Sequence, residues 1–151
     1  MKERKAVIYS DGACSGNPGK AGIGGVVTVG ADTVEFSRSI GISTNNVAEY
    51  IALIEALKKA IDMGATEANI YLDSELVVKQ INGQYRVKHE NIKPLYKKAI
   101  SLLSSFVKFS VRHVPREQNK RADALSKEGV NASACPPPAS GPSEAGQQGL
   151  F

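Results

Sequence analysis

Short apolar runs bounded by glycines fill the first third of the chain. They cover residues 5–10, 22–30 and 33–41, and the last two are rich in Val, Ile, Phe and Thr. Runs of this composition and length are typical of β-strands. The sequence therefore predicts three strands, of which the second and third form a hairpin across residues 30–32.

Apolar residues then recur at intervals of three and four, which is typical of an amphipathic helix. One such series, with a glycine stop at position 64, consists of Val47, Ile51, Ile54, Leu57 and Ile61. The remaining pattern predicts a strand at 69–72, helices at 74–81 and 92–103, a strand at 106–114 and a last helix at 118–127. Three early strands followed by alternating helices and strands predict an α/β fold, a mixed sheet with helices on its faces.

The composition changes after residue 128. Residues 129–151 are rich in Ala, Ser, Pro and Gly, and they have too little apolar surface to offset the entropy lost on ordering. We expect a folded domain at 1–128 and a flexible tail at 129–151. The tail ends in QQGLF, a faint likeness to peptides that dock on replication sliding clamps, so a weak clamp contact is one prediction. The alternative is that Leu150 and Phe151 fold back onto the domain.

The charge is mildly basic and unevenly distributed. The net charge is +4, and residues 1–128 carry all 19 Lys and Arg. This excess is compatible with a phosphate-bearing partner but does not identify one. No apolar run approaches the roughly 20 residues that span a bilayer, and the first residues lack a signal-peptide core. We expect a cytoplasmic monomer without a membrane segment.

Four acidic residues stand where a shared site is favoured. Asp11 and Asp73 each follow a predicted strand directly, and ligands bind at the carboxyl edge of open α/β sheets. Glu49 and Asp123 lie in the first turns of two predicted helices. Carboxylates that converge repel each other unless a cation is present, and Mg²⁺ prefers such oxygen ligands. The sequence therefore predicts a Mg²⁺ site, with Mn²⁺ as a substitute, that is suited to two-ion phosphodiester hydrolysis.

Each acid also has a purely structural explanation. Asp73 could cap the helix that starts after it, and Asp11 could sit in a turn with the glycine that follows. Glu49 and Asp123 could be solvated acids favoured by a helix dipole. Only the combination of the four favours a catalytic site.

Four sequence blocks contain these acids, in the order SDGACSGNPG (10–19), TNNVAE (44–49), YLDS (71–74) and NKRAD (119–123). Together they resemble the type 1 ribonuclease H family over about residues 5–128. The resemblance implies a ribonuclease H-like fold, with a five-stranded mixed sheet in the order 3-2-1-4-5 and helices on both faces. It also implies that the metal-binding catalytic set is Asp11, Glu49, Asp73 and Asp123.

The activity that the resemblance implies is endonucleolytic hydrolysis of the RNA strand of an RNA/DNA hybrid. Two metal ions would assist the cleavage, which leaves 5′-phosphate and 3′-hydroxyl ends and serves to remove RNA primers and R-loops. One alternative is a hybrid- or RNA-binding module of the same fold without catalysis. Another is a different nuclease of this fold, such as a transposase or resolvase, although those usually carry additional DNA-binding segments.

Substrate contacts also follow from the resemblance. Similar enzymes contact the minor groove and the 2′-hydroxyls, which distinguish RNA from DNA, at the positions of Gly12, Cys14, Asn17 and Asn45. Thr44 falls where a phosphate of the DNA strand is held, and Asn46 is included with this set. For the glycine, turn chemistry is an equally open explanation.

Three departures from the family pattern affect these assignments. Glu75 replaces the Gln that often follows the Asp-Ser pair in bacterial relatives. A long basic insertion before the last strand is absent, so the candidates for substrate grip are Arg86, Lys88, Lys93 and Lys97. The loop at 114–118 lacks the usual histidine.

Two residues near that loop are candidates for its role. His113 alternates with apolar residues, which favours a packed or strand-end imidazole over a catalytic one. We predict that Arg116 is a further catalytic participant. It would stabilise charge on the phosphate but could not act as a base.

Overall fold

The protein is built around one five-stranded sheet, which a computed structural model describes over residues 4–132. The strands are β1 (Lys5–Gly16), β2 (Gly19–Val29), β3 (Asp32–Ser43), β4 (Glu67–Leu72) and β5 (Lys108–His113). The helices are α1 (Asn45–Asp62), α2 (Glu75–Ile81), α3 (Lys93–Leu103) and α4 (Lys120–Ala132), with a 3-10 turn at Arg116–Gln118. The types and order of the predicted elements are confirmed.

The sheet order is β3-β2-β1-β4-β5, as the resemblance implied. β1 pairs antiparallel with β2, and β2 pairs antiparallel with β3. β4 lies parallel to both β1 and β5. The sheet is therefore mixed, and the carboxyl ends of β1 and β4 meet at its centre.

Helix α1 covers one face of the sheet and supplies much of the core. Its Tyr50, Leu53 and Leu57 are fully buried in one cluster with Ile8 of β1 and Ile70 of β4. The helix begins where the Oγ1 atom of the N-cap Thr44 accepts a hydrogen bond from the Val47 amide at 3.4 Å. Since this cap precedes the helix directly, it determines which turn carries Glu49.

Helix α4 packs on the opposite face, directly against the backbone of β2. Ile23 of β2 clusters with Ile51 of α1, whereas its neighbours Gly22 and Gly24 face α4. A Cβ atom on Gly22 would lie 2.2 Å from the amide nitrogen of Val130. Only glycine allows this close approach of helix and strand.

The ends of several elements differ from those expected, and the end of the last helix is one of them. Helix α4 continues to Ala132, beyond the predicted end at residue 127, because Gly129 packs on β3, where a Cβ atom would lie 2.5 Å from the Arg38 carbonyl oxygen. The start of the predicted tail, residues 129–132, is thus helical. The clamp-like motif at 147–151 lies outside the described residues and stays a prediction. Within residues 4–132, no helix is both long enough and apolar enough to cross a membrane.

Candidate active site

Asp11 and Asp73 lie where the two central strands separate. The last parallel pair between β1 and β4 is Ser10 with Leu72. Beyond this pair β1 continues to Gly16 in partnership with β2, so the strand is six residues longer than predicted. The two aspartates follow the same residue pair on neighbouring strands, so they lie side by side where β4 ends.

Glu49 reaches this point from α1. The Gly12 amide donates a hydrogen bond to its Oε1 atom at 3.3 Å. A Cβ atom on Gly12 would lie 2.3 Å from the carbonyl carbon of Ala48. The absence of a side chain at position 12 therefore allows α1 to approach β1 closely enough to place Glu49 beside the aspartates.

The three carboxylates form one group. Asp11, Glu49 and Asp73 each offer an oxygen atom, and these atoms all lie within 4.8 Å of one another. Burial and then the charge of Asp73 raise the pKa of Asp11 to about 7. Burial, followed by the charges of Asp11 and Asp73, raises the pKa of Glu49 well above its ordinary value. The site therefore disfavours its own ionisation and favours a bound cation.

Asp123 stands at the margin of this group. It lies in the first turn of α4, and its charge contributes to the raised pKa of Asp11. Its Oδ2 atom forms an ion pair with Lys127 at 3.1 Å. The structure thus brings three of the four predicted acids together and places the fourth beside Asp11 with a lysine partner.

Two side chains in or next to α4, neither of which was assigned a role from the sequence, hold the aspartates. The buried Asn119 amide nitrogen donates to Asp73 Oδ2 and to the Ser10 carbonyl oxygen, both at 3.1 Å. The buried Ser126 hydroxyl donates to Asp11 Oδ2 at 2.9 Å. Ser126 could have been singled out from the sequence, because it is a polar residue on the apolar face of the predicted helix.

Four of the six predicted substrate-binding residues share one groove. It has a volume of about 380 Å³ and is lined by Asn17, Thr44, Asn45, Asn46, His89, Asn91 and Ile92. The Asn17 Oδ1 atom accepts a hydrogen bond from the Asn45 amide at 3.1 Å, which links the β1–β2 turn to the start of α1. His89 and Asn91 were not assigned from the sequence, because only the fold brings their loop to α1.

Cys14 does not line this groove. Its thiol is half-buried, with Sγ 3.5 Å from the Ser43 carbonyl oxygen. Burial and the charge of Glu49 raise the pKa of the thiol. Cys14 is therefore a protonated, weakly polar group within reach of the Glu49 charge.

The residues around the last loop are exposed. His113 ends β5 opposite Leu72, so it is a strand-end imidazole and is not packed. Arg116 begins the 3-10 turn and, within residues 4–132, forms no ion pair. Glu75 faces solvent and pairs with Lys79 at 3.2 Å.

A mixed sheet of this order, with acidic side chains gathered where its central strands separate, defines the ribonuclease H class of fold. The family model described as "Reverse transcriptase-like" matches residues 9–129. Ribonuclease H of Syntrophomonas wolfei is 35% identical over 150 residues, which cover 87% of this chain and 99% of that protein. The chain belongs to the ribonuclease H family of hydrolases.

A bifunctional protein of Mycobacterium tuberculosis is 46% identical over 133 residues, 86% of this chain and 36% of that protein. The chain thus spans about a third of that relative's length. The solved N-terminal RNase H domain of the same protein has a TM-score of 0.83 at 44% identity, with 86% of this chain and 96% of that chain covered. LC11-RNase H1, solved with an RNA/DNA hybrid, has a TM-score of 0.80 at 40% identity, with 86% and 99% covered.

Proposed function

We propose that the protein is a divalent-metal-dependent endonuclease that hydrolyses the RNA strand of RNA/DNA hybrids. The observation that carries this proposal is the group of three carboxylates, Asp11, Glu49 and Asp73, whose oxygen atoms lie within 4.8 Å of one another. Their position where the central strands separate, in a chain similar to an RNase H1 solved with a hybrid, supports the choice of substrate.

The donor set fits Mg²⁺, and Mn²⁺ as a substitute. Three carboxylates supply hard oxygen ligands. Burial and then the neighbouring negative charges raise the pKa values of Asp11 and Glu49, and a divalent cation relieves this unfavourable arrangement. Asp123 would join them after release from Lys127, whose side chain is exposed and can turn away into solvent. Bound ions of this kind activate an attacking water and stabilise the leaving oxygen of a phosphodiester.

The protein's own residues have complementary roles in this proposal. Asn119 and Ser126 orient the two aspartates, and Arg116, exposed in the turn before α4, would contact the substrate phosphate. The products would carry 5′-phosphate and 3′-hydroxyl ends. The cellular role proposed is removal of RNA primers and R-loops.

Two neighbouring grooves supply the proposed grip on the hybrid. The first, lined by Asn17, Thr44 and Asn45, presents amide and hydroxyl groups suited to a phosphate or a 2′-hydroxyl. The second, of about 610 Å³, follows along the same loop and is lined by Gly83, Gln84, Tyr85, Arg86, Val87, Lys93, Tyr96 and Lys97. Three of the four cations proposed from the sequence thus line one groove, which compensates for the missing basic insertion.

The substitution His89→Ala tests the first groove. We expect the KM for hybrid to rise roughly 3- to 10-fold, as for loss of one ordinary hydrogen bond, with kcat unchanged because His89 is not among the acids. Steady-state kinetics at saturating Mg²⁺ measure both constants. Lys108→Ala, at the opposite end of the sheet, is the control and should leave both unchanged. A loss of kcat at unchanged KM would contradict the assignment of His89 to substrate binding.

The proposed function itself is tested with a panel of labelled nucleic acids. RNA/DNA hybrid, duplex DNA and duplex RNA are incubated with the protein, with and without Mg²⁺. We expect cleavage of the hybrid's RNA strand only, and only with the metal. Cutting of duplex DNA, or metal-independent cutting of the hybrid, would refute the proposal. Binding of the hybrid without cleavage would instead support the non-catalytic module.

A further inference from the structure

A serine interrupts the apolar face of α4. The buried residues of this helix are Ala122, Leu125, Ser126 and Gly129, and the Ser126 side chain is fully enclosed. A buried hydroxyl destabilises the fold unless it forms hydrogen bonds. Ser126 Oγ has two acceptors, the Asp123 carbonyl oxygen at 2.8 Å and Asp11 Oδ2 at 2.9 Å.

The carboxylate is the stronger of these two acceptors. A serine hydroxyl has one proton, and hydrogen bonds to an ionised acceptor are roughly twice as strong as neutral ones. The Asp123 carbonyl is a local acceptor within the same helix, whereas Asp11 belongs to β1, 115 positions away. When Asp11 is ionised, the hydroxyl therefore ties α4 to this carboxylate.

Backbone packing determines where the hydroxyl stands. Asp11 pairs with Gly24 in the β1–β2 register. A Cβ atom on Gly24 would lie 2.3 Å from the Ser126 amide nitrogen, so helix and strand are in direct backbone contact at this point. Because serine has a single side-chain torsion, this contact leaves its hydroxyl little freedom to move away from Asp11.

We infer that Ser126 is a positioning residue, which holds the Asp11 carboxylate within the group of three and thereby increases the affinity of the site for a divalent cation. Asn119 holds Asp73 in the same way, so each aspartate of the group receives one hydrogen bond from a buried side chain at or next to α4. Partners of metal-binding carboxylates commonly affect metal affinity in this manner. The inference rests on the proposed function, since it concerns the same metal site.

The test is calorimetric titration of the full-length chain with Mg²⁺ alone, without nucleic acid. Ser126→Ala should raise the Kd for Mg²⁺ by about 10-fold. The Mg²⁺ concentration for half-maximal hybrid cleavage should rise in parallel, with an unchanged KM for hybrid. Ser126→Cys keeps a side chain of similar size with a weaker donor, and it should weaken Mg²⁺ binding in the same direction.

The matched control is Ser37→Ala. The Ser37 hydroxyl donates to the Leu125 carbonyl oxygen at 2.6 Å, so it joins α4 to the sheet one residue from Ser126 and bonds no acid. This variant should bind Mg²⁺ like the wild type. Equal weakening in Ser37→Ala, or wild-type affinity in Ser126→Ala or Ser126→Cys, would overturn the inference. A wild-type protein that neither binds Mg²⁺ nor cleaves hybrid would refute the proposed function instead.

Discussion

Replacing Asp11 by asparagine is expected to lower the rate of hybrid cleavage by about 10³-fold, because metal-ion stabilisation of several kcal/mol corresponds to about that factor. Asp11 is the most buried of the three grouped acids. The amide is nearly isosteric, and its oxygen still accepts a hydrogen bond from Ser126. The loss would therefore report the missing charge and not a disrupted fold.

The same variant is expected to be more stable than the wild type when no metal is present. Burial and the charge of Asp73 raise the pKa of Asp11 to about 7, so near pH 8 the ionised Asp11 destabilises the folded state. Removing this charge should raise the metal-free Tm by at least ~3 °C. A variant that both loses activity and gains stability is the pattern expected of a metal-binding acid.

Glu35→Gln is the matched control for this experiment. Glu35 is exposed and forms a bidentate ion pair with Arg121, with distances of 2.7 and 2.8 Å. These hydrogen bonds lower the pKa of Glu35. Its removal should leave the cleavage rate unchanged and give no increase in Tm. If Asp11→Asn kept more than about a tenth of the wild-type rate, or melted at a lower temperature without metal, Asp11 would not be the central ligand.

The metal-free protein is expected to lose stability as the pH rises from about 5 to about 8. The pKa values of Asp11 and Glu49 are raised above their ordinary values of 3.8 and 4.5. The folded state therefore binds more protons than the unfolded state over this range. The resulting stability is fully present below the unfolded pKa values and is lost as the pH rises through the folded ones, by an amount on the order of a few kcal/mol.

Thermal unfolding in EDTA and in millimolar Mg²⁺, across this pH range, measures the effect. Mg²⁺ should raise the Tm most at the alkaline end, where the acids are ionised and the cation offsets their repulsion. Asp11→Asn should flatten the metal-free profile. A metal-free Tm that increased from pH 5 to pH 8 would contradict the raised pKa values and the close grouping on which they depend.

Local sequence patterns predicted most of the fold correctly, and the errors were in where strands and helices begin and end. The glycine-rich segment after Asp11 has little strand character, yet β1 continues to Gly16 because β2 pairs with it throughout. The composition from residue 129 onward similarly predicted a flexible tail, yet α4 continues to Ala132 because Gly129 packs on β3. In both cases a partner distant in sequence outweighed local propensity, which is a weak determinant of element ends.

The candidate site was likewise predicted only in part from the sequence. Asp11, Glu49 and Asp73 were found from the sequence because each directly follows a strand or lies near a helix start within a specific motif. Asp123 was found as well, but its ion pair with Lys127 appears only in the structure. His89 belongs to the site only because its loop folds against the start of α1.

By itself, the sequence determined the strands, the helices, their order and the acidic motifs, because hydrophobic periodicity and short motifs are local properties of the chain. The tertiary structure alone decided which side chains hold the acids. Ser126 lies 115 positions from Asp11, and Asn119 lies 46 positions from Asp73. These contacts depend on how closely α4 packs on the glycines of β2, and no local pattern encodes that distance.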